Sequence, residues 1–180
     1  MTLREYAGKV RGGGQSPPSV GLKDIWWSFL GSLMGIGTCG FLSARFFEPR
    51  DMTLIVASFG ASAVLVYGAI KSPLAQPRNL VGGHVISALI GVASYGLFGN
   101  TWIGAAIAVS FAVAAMLFTR TLHPPGGATA LLAVIGSKQI HDLGFLYAIL
   151  PVGLGSLVLL VVAVLVNNLA KDRNYPEYWL

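Results

Sequence analysis

The residues of this chain that could bind a ligand lie in motifs of small and polar residues that contain few charged side chains. His123 is followed by Pro124-Pro125-Gly126-Gly127. Proline in the first turn of a helix sacrifices no hydrogen bond, because that amide has no partner within the helix. The next amides then point forward, where the helix dipole adds about half a positive charge, and glycine lets a ligand approach the backbone closely. This pattern is typical of an anion site.

A second motif has a similar composition and lies upstream of the first. Gly60-Ala61-Ser62-Ala63-Val64-Leu65 aligns with Gly127-Ala128-Thr129-Ala130-Leu131-Leu132 at an offset of 67 residues, and four of the six positions are identical. Each copy lies in the middle segment of a three-segment half of the chain. We therefore predict an internal repeat, with a glycine-bearing helix N-terminus in each half.

These two motifs define the predicted site. The predicted substrate-binding residues are His123, Gly126, Gly127, Ala128, Thr129, Ser58, Phe59, Gly60, Ala61 and Ser62, and the predicted charge-guiding residues are Arg120, His84 and Arg78. Structural roles compete with each of these. Glycines also allow close helix packing, which is the role we predict for Gly31, Gly35, Gly37, Gly91, Gly96 and Gly104. Arg120 and His123 can anchor a membrane interface, and His84 can join helices by a hydrogen bond. Arg78 with Asn79 can tie a loop to carbonyls at helix ends.

Acidic side chains are placed only at segment ends and in loops, at Glu5, Asp24, Glu48, Asp51, Asp142, Asp172 and Glu177. Carriers of protons and cations commonly use a carboxylate inside the membrane, so the sequence favours an anion and a passive or gradient-driven route. Three histidines without paired spacing and one cysteine, Cys39, do not form a metal-ligand set. No phosphate-binding loop, dinucleotide motif or nucleophile motif is present. We expect no cofactor, no metal, no nucleic-acid partner and no enzymatic activity.

Composition places these motifs in a membrane. Hydrophobic residues make up 54% of the 180 and charged residues 11%, against about 25% charged in soluble domains. The apolar residues form six segments, Ile25 to Ala44, Met52 to Ile70, Leu80 to Phe98, Trp102 to Thr119, Pro124 to Ser137 and Leu143 to Ala170. The fifth is too short to cross a bilayer as a plain helix. It predicts a half-helix beginning near Gly126 after an extended arm.

Charge distribution favours six crossings. If every segment crosses and the N-terminus is cytoplasmic, nine basic residues lie inside, namely Arg4, Lys9, Arg11, Lys23, Lys71, Arg78, Arg120, Lys171 and Arg173, while Arg45, Arg50 and Lys138 lie outside. Re-entrant second and fifth segments would instead divide them six and six. Three crossings per half is an odd number, so the second half starts on the opposite side of the membrane and is inverted relative to the first. We predict a basic cytoplasmic tail over 1–24, a transmembrane domain over 25–170 with repeats over 25–98 and 102–170, and a cytoplasmic tail over 171–180.

Several motifs together resemble the HPP integral membrane family. Leu122-His123-Pro124-Pro125-Gly126-Gly127 carries its signature, and the resemblance covers about residues 22–180, with further motifs at Ser58–Ala63, Ser72–Asn79, Gly82–His84, Asn167–Asn168 and Tyr175–Trp179. The family is usually described as spanning the membrane four times, which differs from our count of six. Members similar to those of cyanobacteria and chloroplast envelopes are associated with nitrite transport. The resemblance therefore implies a bacterial or cyanobacterial plasma membrane and nitrite as substrate.

Taken together, the sequence predicts an all-α membrane protein of two inverted three-segment repeats with broken middle helices. Its predicted function is passage of a small inorganic anion through a site at the midplane, most simply as a homo-oligomer, since 180 residues leave limited room for an internal path. One alternative is a structural or regulatory membrane subunit whose glycines only pack helices. Another is an intramembrane enzyme using His123, which would need a second catalytic group close by.

Overall fold

The structure, a computed structural model, describes residues 3–10, 14–48, 54 and 56–180, and the regular secondary structure of this part of the chain is helical. The predicted all-α class is confirmed. The helices are α1 (Leu3–Val10), α2 (Leu22–Leu42, extended by a π turn over Ser43–Phe47), α3 (Ser58–Ala63, extended by a π turn over Val64–Gly68), α4 (Pro77–Phe98), α5 (Trp102–Phe118), α6 (Pro124–Ile135), α7 (Lys138–Leu143) and α8 (Leu154–Asn167). The beginning of the second predicted segment, residues 52, 53 and 55, lies outside the described residues, as do Arg50 and Asp51.

Proline and threonine set where the central helices begin. Pro77 opens α4 after an extended Gln76, and the Thr101 hydroxyl caps α5 by accepting from the Gly104 amide at 3.1 Å. Pro124 opens α6, and His123 before it is extended, at φ −139° and ψ 104°. The residue before proline is sterically pushed away from the helical region, and a proline nitrogen sacrifices no bond in the first turn. The helix therefore begins at Pro124, two residues earlier than predicted.

Three helical stretches of the described chain are long and apolar enough to cross a membrane by length and composition, namely Leu22–Phe47, Pro77–Phe98 and Lys138–Asn167. The last is interrupted, because Leu150 is extended at φ −127° and ψ 120°. Pro151 follows it, and proline both removes a donor and disfavours the helical conformation of the preceding residue. The predicted sixth segment is thus not one continuous helix, because a bend at Leu150 precedes α8.

The shorter apolar helices are Ser58–Gly68, Trp102–Phe118 and Pro124–Ile135. The first and third of these are the middle segments of the two predicted halves. Pro124–Ile135 begins 66 residues after Ser58–Gly68 begins and ends 67 residues after it ends, close to the offset found in the sequence. With 1.5 Å of rise per residue each is only about 16–18 Å long, well short of the roughly 30 Å hydrocarbon core.

Helix packing follows small residues. A Cβ on Gly91 of α4 would meet the Ala130 carbonyl of α6 at 2.5 Å, and one on Gly31 or Gly35 of α2 would overlap the Tyr67 ring. The sequence predicted packing contacts for these three glycines, and the structure confirms them. The same prediction is wrong for Gly37 and Gly96, because a Cβ on either meets open space.

Large apolar side chains cover the outside of the bundle. Trp102 is 81% exposed, Phe118 90% and Leu97 78%. A soluble monomer rarely exposes so much contiguous apolar surface, whereas lipid tails accept it. The surface chemistry therefore agrees with a membrane protein.

Six of the basic residues predicted to be cytoplasmic line cavities at one end of the bundle, namely Lys23, Lys71, Arg78, Arg120, Lys171 and Arg173. The C-terminal tail returns there, since Arg173 donates to the Tyr67 carbonyl and the Tyr175 hydroxyl donates to the Ala75 carbonyl at 2.7 Å. Burial lowers the pKa of the Arg173 guanidinium, and the Asp24 carboxylate opposes that shift. Lys138 lies in α7, at the far end of the bundle.

Candidate functional site

Five polar side chains from three helices and one helix-capping residue meet in the middle of the bundle. Ser58 and Ser62 come from α3, His84 from α4, His123 from the residue capping α6, and Thr129 from α6. Each is at most 1% exposed. We call these five residues the central network. All were singled out from the sequence, His84 as a charge guide and the others as substrate contacts, and the structure brings them together.

His84 lies at the centre of this network. Its Nε2 is 2.7 Å from the Ser62 hydroxyl oxygen, and its Nδ1 is 2.7 Å from the Thr129 hydroxyl oxygen. Ser62 and Thr129 are 67 residues apart, so they are equivalent positions of the two sequence repeats. One imidazole therefore joins corresponding hydroxyls of the two halves of the chain.

His123 extends the network towards the basic end of the bundle. Its Nε2 is 2.9 Å from the Ser62 oxygen, and its Nδ1 is 2.7 Å from the Leu74 carbonyl. A carbonyl oxygen only accepts, so Nδ1 of His123 carries a proton. The two imidazole rings lie edge to face with centroids 5.0 Å apart.

The short helices α3 and α6 pass each other side by side. The hydroxyl oxygens of Ser58 and Thr129 are 2.8 Å apart, while Ser62, one turn further along α3, contacts His123, which precedes α6. Residue numbers rise along one helix as they fall along the other, so the first turns of α3 and α6 are antiparallel. The two middle segments thus meet at their N-terminal ends.

The depth of this meeting point can be read along α4. A Cβ on Gly126 would lie 2.9 Å from the Gly83 carbonyl and 2.8 Å from the Ser87 hydroxyl. Gly83 is six residues into a helix of 22, or about 9 Å along roughly 33 Å. The beginning of α6 therefore lies well inside the bundle rather than at its surface.

Backbone amides take less part in the site than the sequence indicated. The Gly126 amide donates to the His123 carbonyl at 2.8 Å, the Phe59 amide to the Val56 carbonyl at 2.9 Å, and the Gly60 amide to the Ala57 carbonyl at 3.2 Å. These three donors are satisfied within their own first turns. In this conformation side chains, not free amides, supply the polar groups between the helices.

The small residues of the motifs divide between two environments. Gly126 is buried against α4, whereas Gly60, Ala61 and Ala128 are exposed on the outer surface. Added Cβ atoms meet nothing within 4 Å at Gly60 and only a Val109 methyl group at 4.0 Å at Gly127. Phe59 is buried with its ring edge-on to His84, at 5.3 Å between centroids.

Arg78 and Arg120 line a cavity of about 340 Å³ beside the central network. Leu74, whose carbonyl accepts from His123, lines the same cavity. Arg78 also donates to the Thr119 carbonyl at 2.7 Å, and Asn79 donates to the Leu122 carbonyl at 2.9 Å. The structure thus confirms that Arg78 and Asn79 tie the loop before α6 to α4.

Two contributors escaped the sequence analysis. The Leu74 carbonyl is a backbone acceptor and carries no side-chain signal. The Tyr147 hydroxyl reaches the Thr129 carbonyl at 3.5 Å from a bent segment that looked like ordinary apolar helix. Within the described residues, no group of three His, Cys, Asp or Glu side chains is placed to hold a metal ion.

Comparison with known proteins decides the family. The chain matches the HPP transmembrane region over residues 17–176. It belongs to the HPP family. Two relatives of this HPP protein come from Dictyostelium discoideum and are named only as transmembrane proteins. One is 45% identical over 97% of this chain and 57% of its own length, and the other 42% identical over 99% and 65%.

The HPP chain therefore spans about three-fifths of the length of these relatives. No solved structure shows significant similarity to it. Family membership and the apolar helices together identify a membrane protein. His123 of the His-Pro-Pro signature lies just before α6, where its hydrogen bond to the Leu74 carbonyl connects the central network to the cavity lined by arginines.

Proposed function

We propose that this protein carries a small inorganic anion across a membrane, with nitrite as the favoured substrate. The observation that supports it best is the central network, which is polar and uncharged and lies where two short antiparallel helices meet. Hydroxyl and imidazole groups can replace part of the water around a small anion. Helix N-termini favour negative charge by about 0.3–1 kcal/mol each, and by up to about 2 kcal/mol when partly buried.

The arginine-lined cavity supplies the approach to the network. Arg78 and Arg120 raise the local concentration of anions, and Leu74 separates the cavity from His123. No carboxylate bonds to the central network within the described chain, so nothing negative in its first contacts opposes an anion. Transport then requires Leu74 or the first turn of α6 to move, because the network is sealed in this conformation.

We further propose that the two halves are inverted repeats. Three facts support this arrangement, namely the 67-residue offset, the antiparallel first turns of α3 and α6, and the equivalent contacts of Ser62 and Thr129 with His84. Inverted repeats place a substrate site at their interface, in discontinuous helices. We place both tails on the cytoplasmic side of a bacterial or cyanobacterial plasma membrane and expect a homo-oligomer.

The decisive experiment measures nitrite uptake into proteoliposomes that hold the purified full chain, with nitrate, formate and chloride in parallel. We expect saturable nitrite uptake above protein-free vesicles and a strong loss of uptake in His123→Gln. His141→Gln is the matched control, because His141 stacks on Tyr95 outside the network. Uptake equal to that of protein-free vesicles for every anion would refute the proposal.

A second candidate is a structural or regulatory subunit that transports nothing. The sealing of all five network residues favours it, because a satisfied polar network can simply fix the register of packed helices. Under this alternative, His123→Gln lowers stability while every anion flux stays at background. Measuring uptake and unfolding on the same preparation separates the two functions.

A further inference from the structure

The central network is a continuous line of hydrogen bonds that includes two titratable rings. It runs from Ser58 to Thr129 (2.8 Å), to His84 (2.7 Å), to Ser62 (2.7 Å), to His123 (2.9 Å) and to the Leu74 carbonyl (2.7 Å). Every link has the length of a good hydrogen bond. Hydroxyl and imidazole groups both donate and accept, so protons can be ordered along this line in two senses.

The neutral order follows from its fixed end. His123 donates from Nδ1 to the Leu74 carbonyl, so its neutral Nε2 accepts the proton of Ser62. Ser62 in turn accepts from Nε2 of His84, whose Nδ1 accepts from Thr129. This order requires Ser58 to donate to Thr129, which reverses the bond of the present conformation, where Thr129 donates to Ser58. Each of the five hydrogen bonds then has one donor and one acceptor. The Ser62 and Thr129 hydroxyls also lie 3.3 Å from the carbonyls of Ser58 and Pro125, which are longer contacts.

One added proton reverses this order by proton shifts alone, once an opening of the sealed bundle has let water reach Ser58. Ser58 takes up the proton and passes its own to Thr129, Thr129 passes one to Nδ1 of His84, and Nε2 of His84 passes one to Ser62. Ser62 passes its proton to Nε2 of His123. The four bonds between Ser58 and His123 now point the other way, and the net change is a single positive charge on His123.

Among the residues that the structure describes, no carboxylate contacts that charge. Helix α3 presents Ser58, Phe59 and Ser62, α6 presents Thr129, and the remaining neighbours are Met116, Tyr147, the Leu74 carbonyl and the neutral His84. The two arginines that line the adjoining cavity, Arg78 and Arg120, are also positive. An unpaired buried charge costs several kcal/mol, so the protonated state needs an anion.

We propose that the central network binds one proton together with one anion, which makes the protein a proton–anion symporter. The anion enters from the arginine-lined cavity once Leu74 has moved aside, and beside His123 it offsets the imidazolium charge. Because binding linkage is reciprocal, the anion raises the proton affinity of the network and the proton raises the affinity for the anion. This inference rests on the proposed transport function and adds its coupling ion. In this inference a pair of histidines carries the coupling proton, the role that an intramembrane carboxylate commonly has in other carriers.

The test uses proteoliposomes of the full chain loaded with a pH-sensitive dye, with sodium nitrite added outside. Protein-free vesicles give the background from nitrous acid that permeates the lipid. We expect saturable acidification of the lumen, with one proton per nitrite and no effect of a membrane potential set with potassium and valinomycin. Lowering the external pH by one unit should raise nitrite uptake by up to about tenfold while the proton is limiting, the most that a single bound proton allows.

Variants separate coupling from folding. Ser62→Ala breaks the line between the two rings and should abolish nitrite-driven acidification, whereas His141→Gln should retain it. Calorimetry of nitrite binding to the detergent-solubilised full chain, in two buffers of different ionisation enthalpy, counts protons without needing flux. We expect about one proton taken up per nitrite by the wild type and none by His123→Gln.

The outcomes distinguish this inference from the function on which it rests. Nitrite uptake without proton movement, or uptake driven by the membrane potential, overturns the symport and leaves transport standing. No nitrite uptake refutes the transport function, and calorimetry without proton uptake then also overturns the coupled binding. Acidification that survives in Ser62→Ala shows that the proton takes another route and overturns the network as its carrier.

Discussion

Replacing Thr129 with valine would remove one hydroxyl from the central network and keep the branched shape of the side chain. Its oxygen lies 2.7 Å from Nδ1 of His84 and 2.8 Å from the Ser58 hydroxyl. An orphaned buried polar group costs about 1–3 kcal/mol in soluble proteins. Inside membranes, interhelical hydrogen bonds average only about 0.6 kcal/mol, with a maximum of about 1.7. The membrane scale applies here, so two lost contacts predict a destabilisation of about 1–3 kcal/mol.

Reversible unfolding of the purified chain in mixed micelles measures this loss. Thr129→Ser keeps the hydroxyl and should recover most of the stability. Thr38→Val is the matched control, because the exposed Thr38 bonds only to the Met34 carbonyl of its own helix. A double-mutant cycle with Ser58→Ala should give a coupling of at least about 0.6 kcal/mol. A Thr129→Val protein as stable as Thr38→Val, with no coupling to Ser58, would refute the network as a joint between the halves.

Three further predictions test packing, charge and orientation. Gly91→Ala should lose about 1–3 kcal/mol because its Cβ would strike the backbone of α6, whereas Gly60→Ala, with open space around it, should stay within about 0.5 kcal/mol in the same unfolding assay. Arg120 has φ +58°, so Arg120→Asn tolerates that backbone while removing the charge; it should raise the KM for nitrite more than it lowers kcat, and an unchanged KM would count against a guiding role. Lys23→Cys and Lys171→Cys should both react with an impermeant maleimide added from the cytoplasmic side, and opposite labelling would contradict the proposed topology.

Sequence reasoning found the members of the site because they lie in repeated local patterns. Ser62 and Thr129 sit at the same position of two matching hexapeptides, and His123 precedes the prolines that begin α6. Such features depend on neighbours along the chain. The helical class and the short middle helices were predictable for the same reason, since both follow from where apolar runs begin and stop.

What the sequence could not supply depends on contacts between distant segments. His84 looked like a charge guide near a helix start, and only the packing of both α3 and α4 against α6 brings both of its nitrogens to hydroxyls. The motif amides looked free, but carbonyls of their own first turns accept from several of them. Pro151 in the sequence indicated a break at Leu150. The long apolar run around it nevertheless led us to predict a single continuous segment.

Burying the central network destabilises the fold little while all its hydrogen bonds are made, and much more once one of them is broken. Every member has a partner at 2.7–2.9 Å, so burying two imidazoles and three hydroxyls leaves none of their interhelical contacts unmet. Removing one member orphans its neighbours in a low-dielectric interior, where an unpaired polar group is penalised most. Substitutions within the network should therefore be non-additive, with the second costing less than the first. The same logic sets the condition for an anion to enter, because it must offer hydrogen-bond acceptors as the helices part, and a small polyatomic anion with several oxygens does this better than a halide of similar charge.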